Sequence, residues 1–121
     1  MRLLDFELAE ALLGSIDAIV VDIDTGEILF STTKTDNLFG YIRYELVGKN
    51  IKILIPEDLR EKHEQYMKEY AKNPHIRIVK GSVTLKALKR NGTIFPIIIT
   101  LNPWVISSRR CVIAIIHDMS E

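Results

Sequence analysis

The sequence predicts an α+β fold built on one antiparallel sheet of five strands, and three observations lead there. Two short apolar strands stand near the N-terminus, a stretch of helical periodicity fills the middle, and three further strands close the chain. Strands gathered at the two ends with helices between them suit a single sheet that carries short helices and one longer helix over one face. The 121 residues suffice for one core and not for two.

Each element has its own signature. Leu3, Leu4, Phe6, Leu8, Ala9, Leu12 and Leu13 recur at helical spacing up to Gly14, so residues 1–14 read as an amphipathic lead-in helix and residues 15–121 as the domain proper. Ala18 to Ile23 is an apolar strand, Asp24-Thr25-Gly26-Glu27 a hairpin turn, and Ile28 to Ser31 the returning strand. From Thr33 to Lys49, helical turns interrupted by Gly40 and Gly48 are anchored by Leu38, Phe39, Tyr41, Tyr44, Leu46 and Val47. Pro56 fits the first position of a longer helix, where its missing N–H has no intrahelical partner, and Glu57 and Asp58 complement the positive end of the helix dipole. That helix should stop near Lys72-Asn73-Pro74, because proline cannot continue the ladder.

Ile76 to Leu88 reads as one long strand, with Gly81, Val83, Leu85 and Ala87 on the side facing the helices. Arg90-Asn91-Gly92 turns it into an Ile-rich strand from Thr93 to Leu101, on which Ile97, Ile99 and Leu101 share a face. Asn102 to Arg109 carries turn residues, and Cys111 to His117 forms the last strand, leading to an exit at Ile116-His117-Asp118.

Composition excludes several classes of function. Sixteen basic residues balance sixteen acidic ones, so the chain carries no electrostatic footprint for nucleic acid. No apolar run approaches the roughly 18 residues of a membrane span. A single cysteine, Cys111, and no signal peptide make a reducing, cytoplasmic setting the expectation. There is no glycine-rich phosphate loop, no zinc-ligand spacing, and no serine or cysteine with an assignable base, so the chain is not read as an enzyme.

One residue breaks the pattern. On the longer helix Leu59, His63, Tyr66, Met67 and Tyr70 follow the apolar spacing, which turns an imidazole toward the core. Such a histidine is either hydrogen-bonded to backbone or an axial metal ligand, since neutral imidazole is the commonest one. Cys111 reads as a small buried hydrophobe. His75 and His117, at element ends, read as solvated or locally hydrogen-bonded.

The phrases Leu38-Phe39-Gly40-Tyr41, Glu45-Leu46-Val47-Gly48-Lys49-Asn50, Ile55-Pro56, Lys89-Arg90-Asn91-Gly92-Thr93 and the closing Asp118, in this order, resemble a PAS domain over nearly the whole chain. Within that family, Leu54-Ile55-Pro56 followed by Arg60, His63 and Tyr66 is similar to the haem-binding FixL-like oxygen sensors and their phosphodiesterase relatives. The resemblance implies haem b with its iron on His63, a pocket that includes Tyr66, Met67 and Tyr70, and a diatomic gas as second ligand. The distal arginine and methionine of those sensors fall at Val83 and Gly81, while their apolar distal positions match Ile99 and Leu101. A basic residue that meets a haem propionate falls at Glu69, leaving His75 or Arg77 as its replacement. The light-sensing flavin branch is matched at Gly48-Lys49-Asn50, but Ile51 stands where its reactive cysteine would, which excludes thiol–flavin photochemistry. The second class of function implied by the family is a cofactor-free or small-ligand module for dimerisation or protein interaction. On either reading the partners are a second copy or a signalling partner or effector domain, and the lead-in helix can cover its own sheet or a second protomer's.

Overall fold

The computed structural model describes residues 5–79 and 85–120. In chain order the elements are α1 (Phe6–Leu13), β1 (Ala18–Asp22), β2 (Ile28–Ser31), α2 (Thr33–Phe39), α3 (Arg60–Lys72), β3 (Arg77–Val79), β4 (Leu85–Leu88), β5 (Ile94–Ile106) and β6 (Arg109–Asp118). The sheet is antiparallel in the order β2-β1-β6-β5-β3, with β4 also paired to β5. The α+β prediction holds, with two differences in the strands.

First, the long strand expected over residues 76–88 is described as two segments on one edge of β5. Arg77 pairs with Leu101 and Val79 with Ile99, whereas Leu85 pairs with Ile97 and Ala87 with Phe95. An uninterrupted ladder would have put Gly81 opposite Ile97; the structure puts Leu85 there, and six strands are counted where five were expected. The face assignments of Gly81 and Val83 lie outside the described residues.

Second, β5 runs on through Asn102 and Pro103 to Ile106, and the turn shrinks to Ser107-Ser108. Both serines have positive φ, 47° and 67°, the geometry of a tight two-residue hairpin. Pro103 misled the sequence reading because proline is excluded from central strands. Pairing with β3 ends at Leu101, so beyond it β5 is an edge on that side, where proline is tolerated.

Alternation divides the core in two. Ile19, Val21, Ile28, Phe95, Ile97, Val112 and Ile116 project from the inner face against Phe39, Leu46 and Leu54 of the helical middle. Val20, Leu29, Phe30 and Cys111 project from the outer face, where α1 covers them with Ala9 and the partly buried Phe6 and Leu13. The lead-in helix therefore lies on its own sheet. Asp5 caps it by accepting from the Leu8 amide, and Phe6 meets the Phe30 ring at 5.5 Å between centroids. Glu10 completes the docking through Arg43, whose guanidinium also binds the buried Asp36 at 2.8 Å.

Candidate functional site

The site is built between α3 and the elements that face it. Pro56 opens a 3-10 turn at Glu57–Leu59, and α3 begins only at Arg60, one turn later than the proline signal alone suggests. It ends at Lys72, as expected from Asn73-Pro74. None of its 13 residues is fully buried, although Met67, Tyr70 and Ala71 reach the inner core. A helix that packed flush on a sheet would bury its apolar stripe; this one stands off. The strand beneath tells the same story. Ile97 is 4% exposed, whereas Ile99 and Leu101, on the same face of β5, are only half-buried.

His63 is half-buried on α3, and no hydrogen bond to its ring is found among the described residues. Burial alone pushes its pKa below the ordinary 6.5, so the imidazole is neutral near pH 7, the form that ligates a metal. It lines a cavity of about 660 Å³ together with Met67 and Ala71 of α3. That volume falls in the range of small-molecule and cofactor sites. The opposite wall is the β1–β2 turn, Ile23 to Gly26, with Asn50 behind it.

The motif Gly48-Lys49-Asn50 has a structural task in that wall. The Ile28 amide donates to the Lys49 carbonyl and the Gly48 amide to the Ile28 carbonyl. Asn50 Nδ2 donates to the Thr25 carbonyl at 3.1 Å, and the Ile51 amide donates to the Gly26 carbonyl at 2.8 Å. Gly26 has φ +80°, and an added Cβ would meet the Asn50 amide at 3.1 Å, so glycine serves both the turn and the close approach.

The other predicted site residues are distributed unevenly. Ile99 and Leu101 pack against the inner core, as Met67 and Tyr70 do, but neither lines the His63 cavity. Tyr70, His75 and Arg77 gather at the C-terminal end of α3. Tyr70 Oη donates to the His75 carbonyl at 2.7 Å, with ring centroids 5.7 Å apart. Burial raises the Tyr70 pKa, and the nearby Arg77 charge opposes that rise. His75 Nδ1 lies 2.8 Å from the Asn73 carbonyl, the local bond expected of a histidine at an element end. Tyr66 departs from the apolar stripe: it is 58% exposed, with Lys62 Nζ 5.8 Å from its ring. It sits about 100° around the helix from Met67, beyond the strip that faces the sheet. Gly81 and Val83 fall outside the described residues.

Sequence reasoning missed a bridge at this site. Arg110 binds Asp24 through two nitrogens, at 2.6 and 3.1 Å, and donates to the Ala71 carbonyl at 3.0 Å. Its sequence signal was the Arg109-Arg110 pair, which falls between the segment with turn residues, ending at Arg109, and the expected strand from Cys111.

The residues present fit a haem only in part: His63 offers a neutral imidazole beside Met67, whereas most of the cavity's lining is polar or charged, with Asp24, Asn50, Lys52, Arg60, Glu61 and Glu64, and neither Ile99, Leu101 nor Arg77 belongs to it. Cys111 is buried on the outer face of the sheet, away from this cavity, so no thiol faces it from there.

Residues 7–119 match the PAS fold family, and the chain belongs to it. It is 31% identical over 107 residues to the sensor protein FixL of Bradyrhizobium diazoefficiens, covering 87% of this chain and 21% of that protein. Over 70 residues it is 33% identical to the oxygen sensor protein DosP of Escherichia coli, covering 58% of this chain and 9% of the other. A probable serine/threonine-protein kinase of Dictyostelium discoideum is 32% identical over 108 residues, 88% of this chain and 7% of the kinase. The chain thus spans a small part of each of these relatives. Among solved structures, the LOV protein of Rhodobacter sphaeroides superposes with a TM-score of 0.75 at 15% identity, covering 96% of this chain and 67% of that one. No described helix is long and apolar enough to cross a membrane.

Proposed function

We propose that this PAS domain is a haem-based gas or redox sensor with His63 as the axial ligand to iron. The observation that carries the reading is His63 itself: a neutral imidazole with no hydrogen bond to its ring among the described residues, lining a cavity of about 660 Å³ on a helix that buries no residue fully. The chain's similarity to FixL and DosP, named a sensor and an oxygen sensor, supports the same reading.

In this arrangement His63 would hold the iron, the aliphatic Ile99 and Leu101 on the inner face of β5 would shield the group from water, and Arg77, the cross-strand neighbour of Leu101, would meet a propionate. When bound, haem supplies a coordination position for a diatomic gas and a one-electron couple. The chain's own residues turn occupancy into a signal: Arg110 of β6 bonds the Ala71 carbonyl of α3, and β6 leads to the exit at Asp118. The receiver is a second copy or an attached effector. The setting is cytoplasmic, and the domain itself carries out no catalysis. The test is the absorption spectrum of protein expressed with haem available; a Soret band that co-purifies with the chain supports the reading, and colourless protein that ignores added haemin removes it.

A further inference from the structure

The Arg110 bridge joins two walls of the same cavity. Asp24 belongs to the β1–β2 turn and Ala71 to the last turn of α3, and both line the space that His63 enters. A helix leaves its last four carbonyls without intrahelical partners; here Arg110 satisfies one of them from a different strand. A guanidinium can do this because its planar fork makes two parallel bonds to a carboxylate and keeps another donor free, which a lysine ammonium cannot match. Arg110 is also the second residue of β6, the strand that runs the length of the sheet to Asp118.

We propose that Arg110 is the strap of the His63 cavity: it holds the C-terminal turn of α3 against the β1–β2 turn, and ties the position of α3 to the register end of β6. The role of the cavity as a haem pocket rests on the function proposed above, but the strap itself does not. Its neighbour Arg109 is engaged differently, with Asp22 and Glu27 at 2.8 and 2.9 Å on the outer side of the sheet. Neither of those partners lines the cavity.

The experiment uses haem-free protein. Carbethoxylation of each histidine by diethyl pyrocarbonate is followed by mass spectrometry, with His75 and His117 as internal references for His63. Hydrogen exchange is measured over residues 67–72 in the same samples. Arg110→Ala should speed both His63 modification and exchange in the last turn of α3 by about two- to fivefold, the scale of an exposed ion pair. Arg110→Lys, which keeps a charge for Asp24 but loses the fork, should behave like the alanine variant. If both variants leave the His63 ratio and the α3 exchange at parental values, the strap is wrong. Protection of His63 by haemin in the parent is a separate arm; its failure would count against the haem reading and leave the strap standing.

Discussion

Arg77 is the register partner of Leu101 across the β3–β5 ladder, and residues directly opposite in an antiparallel pair project to the same face. The exposed cation therefore stands on the inner, helix-facing side, next to Leu101. Sequence alone left His75 and Arg77 as equal candidates for a propionate partner. The structure separates them by face and by bonding, because the His75 ring is already held by the Asn73 carbonyl.

Replacing Arg77 by alanine should accordingly weaken haemin binding by about three- to fivefold, the scale of a solvent-exposed charge pair. Replacing His75 should change it little. Competition with apomyoglobin measures both, and the salt dependence of affinity should fall in the Arg77 variant alone.

Burial of His63 makes a haem-free prediction with a definite sign. The folded pKa lies below the unfolded 6.5, so as pH falls through 6.5 the unfolded chain takes up a proton that the folded one does not. Stability from this residue is complete above pH 6.5 and declines as pH drops toward the lowered folded value, with a slope of at most about 1.4 kcal/mol per pH unit. His63→Leu should flatten that slope. Urea denaturation between pH 5 and 8 checks it; parallel curves for parent and variant would mean that the ring titrates freely.

The sheet and α3 were legible in the sequence because each carried its own period, two for β5 and 3.6 for the run that contains Leu59, His63, Met67 and Tyr70. Tyr66 was misplaced because periodicity marks a face but not its width. The strand ends failed for a tertiary reason: Pro103 is acceptable only because β3 stops beside Leu101, and no local signal announces where a neighbouring strand ends. The Arg110 bridge was illegible for the same reason, since Asp24, Ala71 and Arg110 meet only in the folded chain. The spacing, by contrast, did set His63 apart from the charged residues of α3, and the structure leaves it half-buried.

On the proposed reading, gas preference follows from the aliphatic face of β5. A bound oxygen molecule carries partial negative charge and gains from a donor; Ile99 and Leu101 supply none. A charge-assisted hydrogen bond is worth about 1.5–3 kcal/mol, so oxygen should bind about ten- to a hundredfold more weakly than in an arginine-bearing pocket. Val83→Arg, at the position that the resemblance implies for the distal arginine, should tighten oxygen with little effect on carbon monoxide. Laser-photolysis affinities for both gases decide; a tight, long-lived oxy form of the parent would reveal another donor.

The lead-in helix leaves Leu8 58% and Leu12 71% exposed although its other side is docked. Two adjacent leucines at i and i+4 form an apolar ridge suited to a second copy. Leu8→Glu with Leu12→Glu should shift sedimentation toward monomer at high micromolar concentration while leaving the melting temperature within about 2 °C, as substitutions at exposed sites do. A parent that is already monomeric there would dismiss the ridge as an interface.

The role of His63 is tested most directly by titrating haemin into the parent and into His63→Ala, then adding free imidazole to the variant. The parent should give a Soret band that saturates at one haem per chain. The variant should bind at least about tenfold more weakly, and imidazole should restore a parent-like band by filling the vacated position. A parent with no saturable band, or a variant whose spectrum and affinity equal the parent's, would contradict the assignment of His63 as the iron ligand.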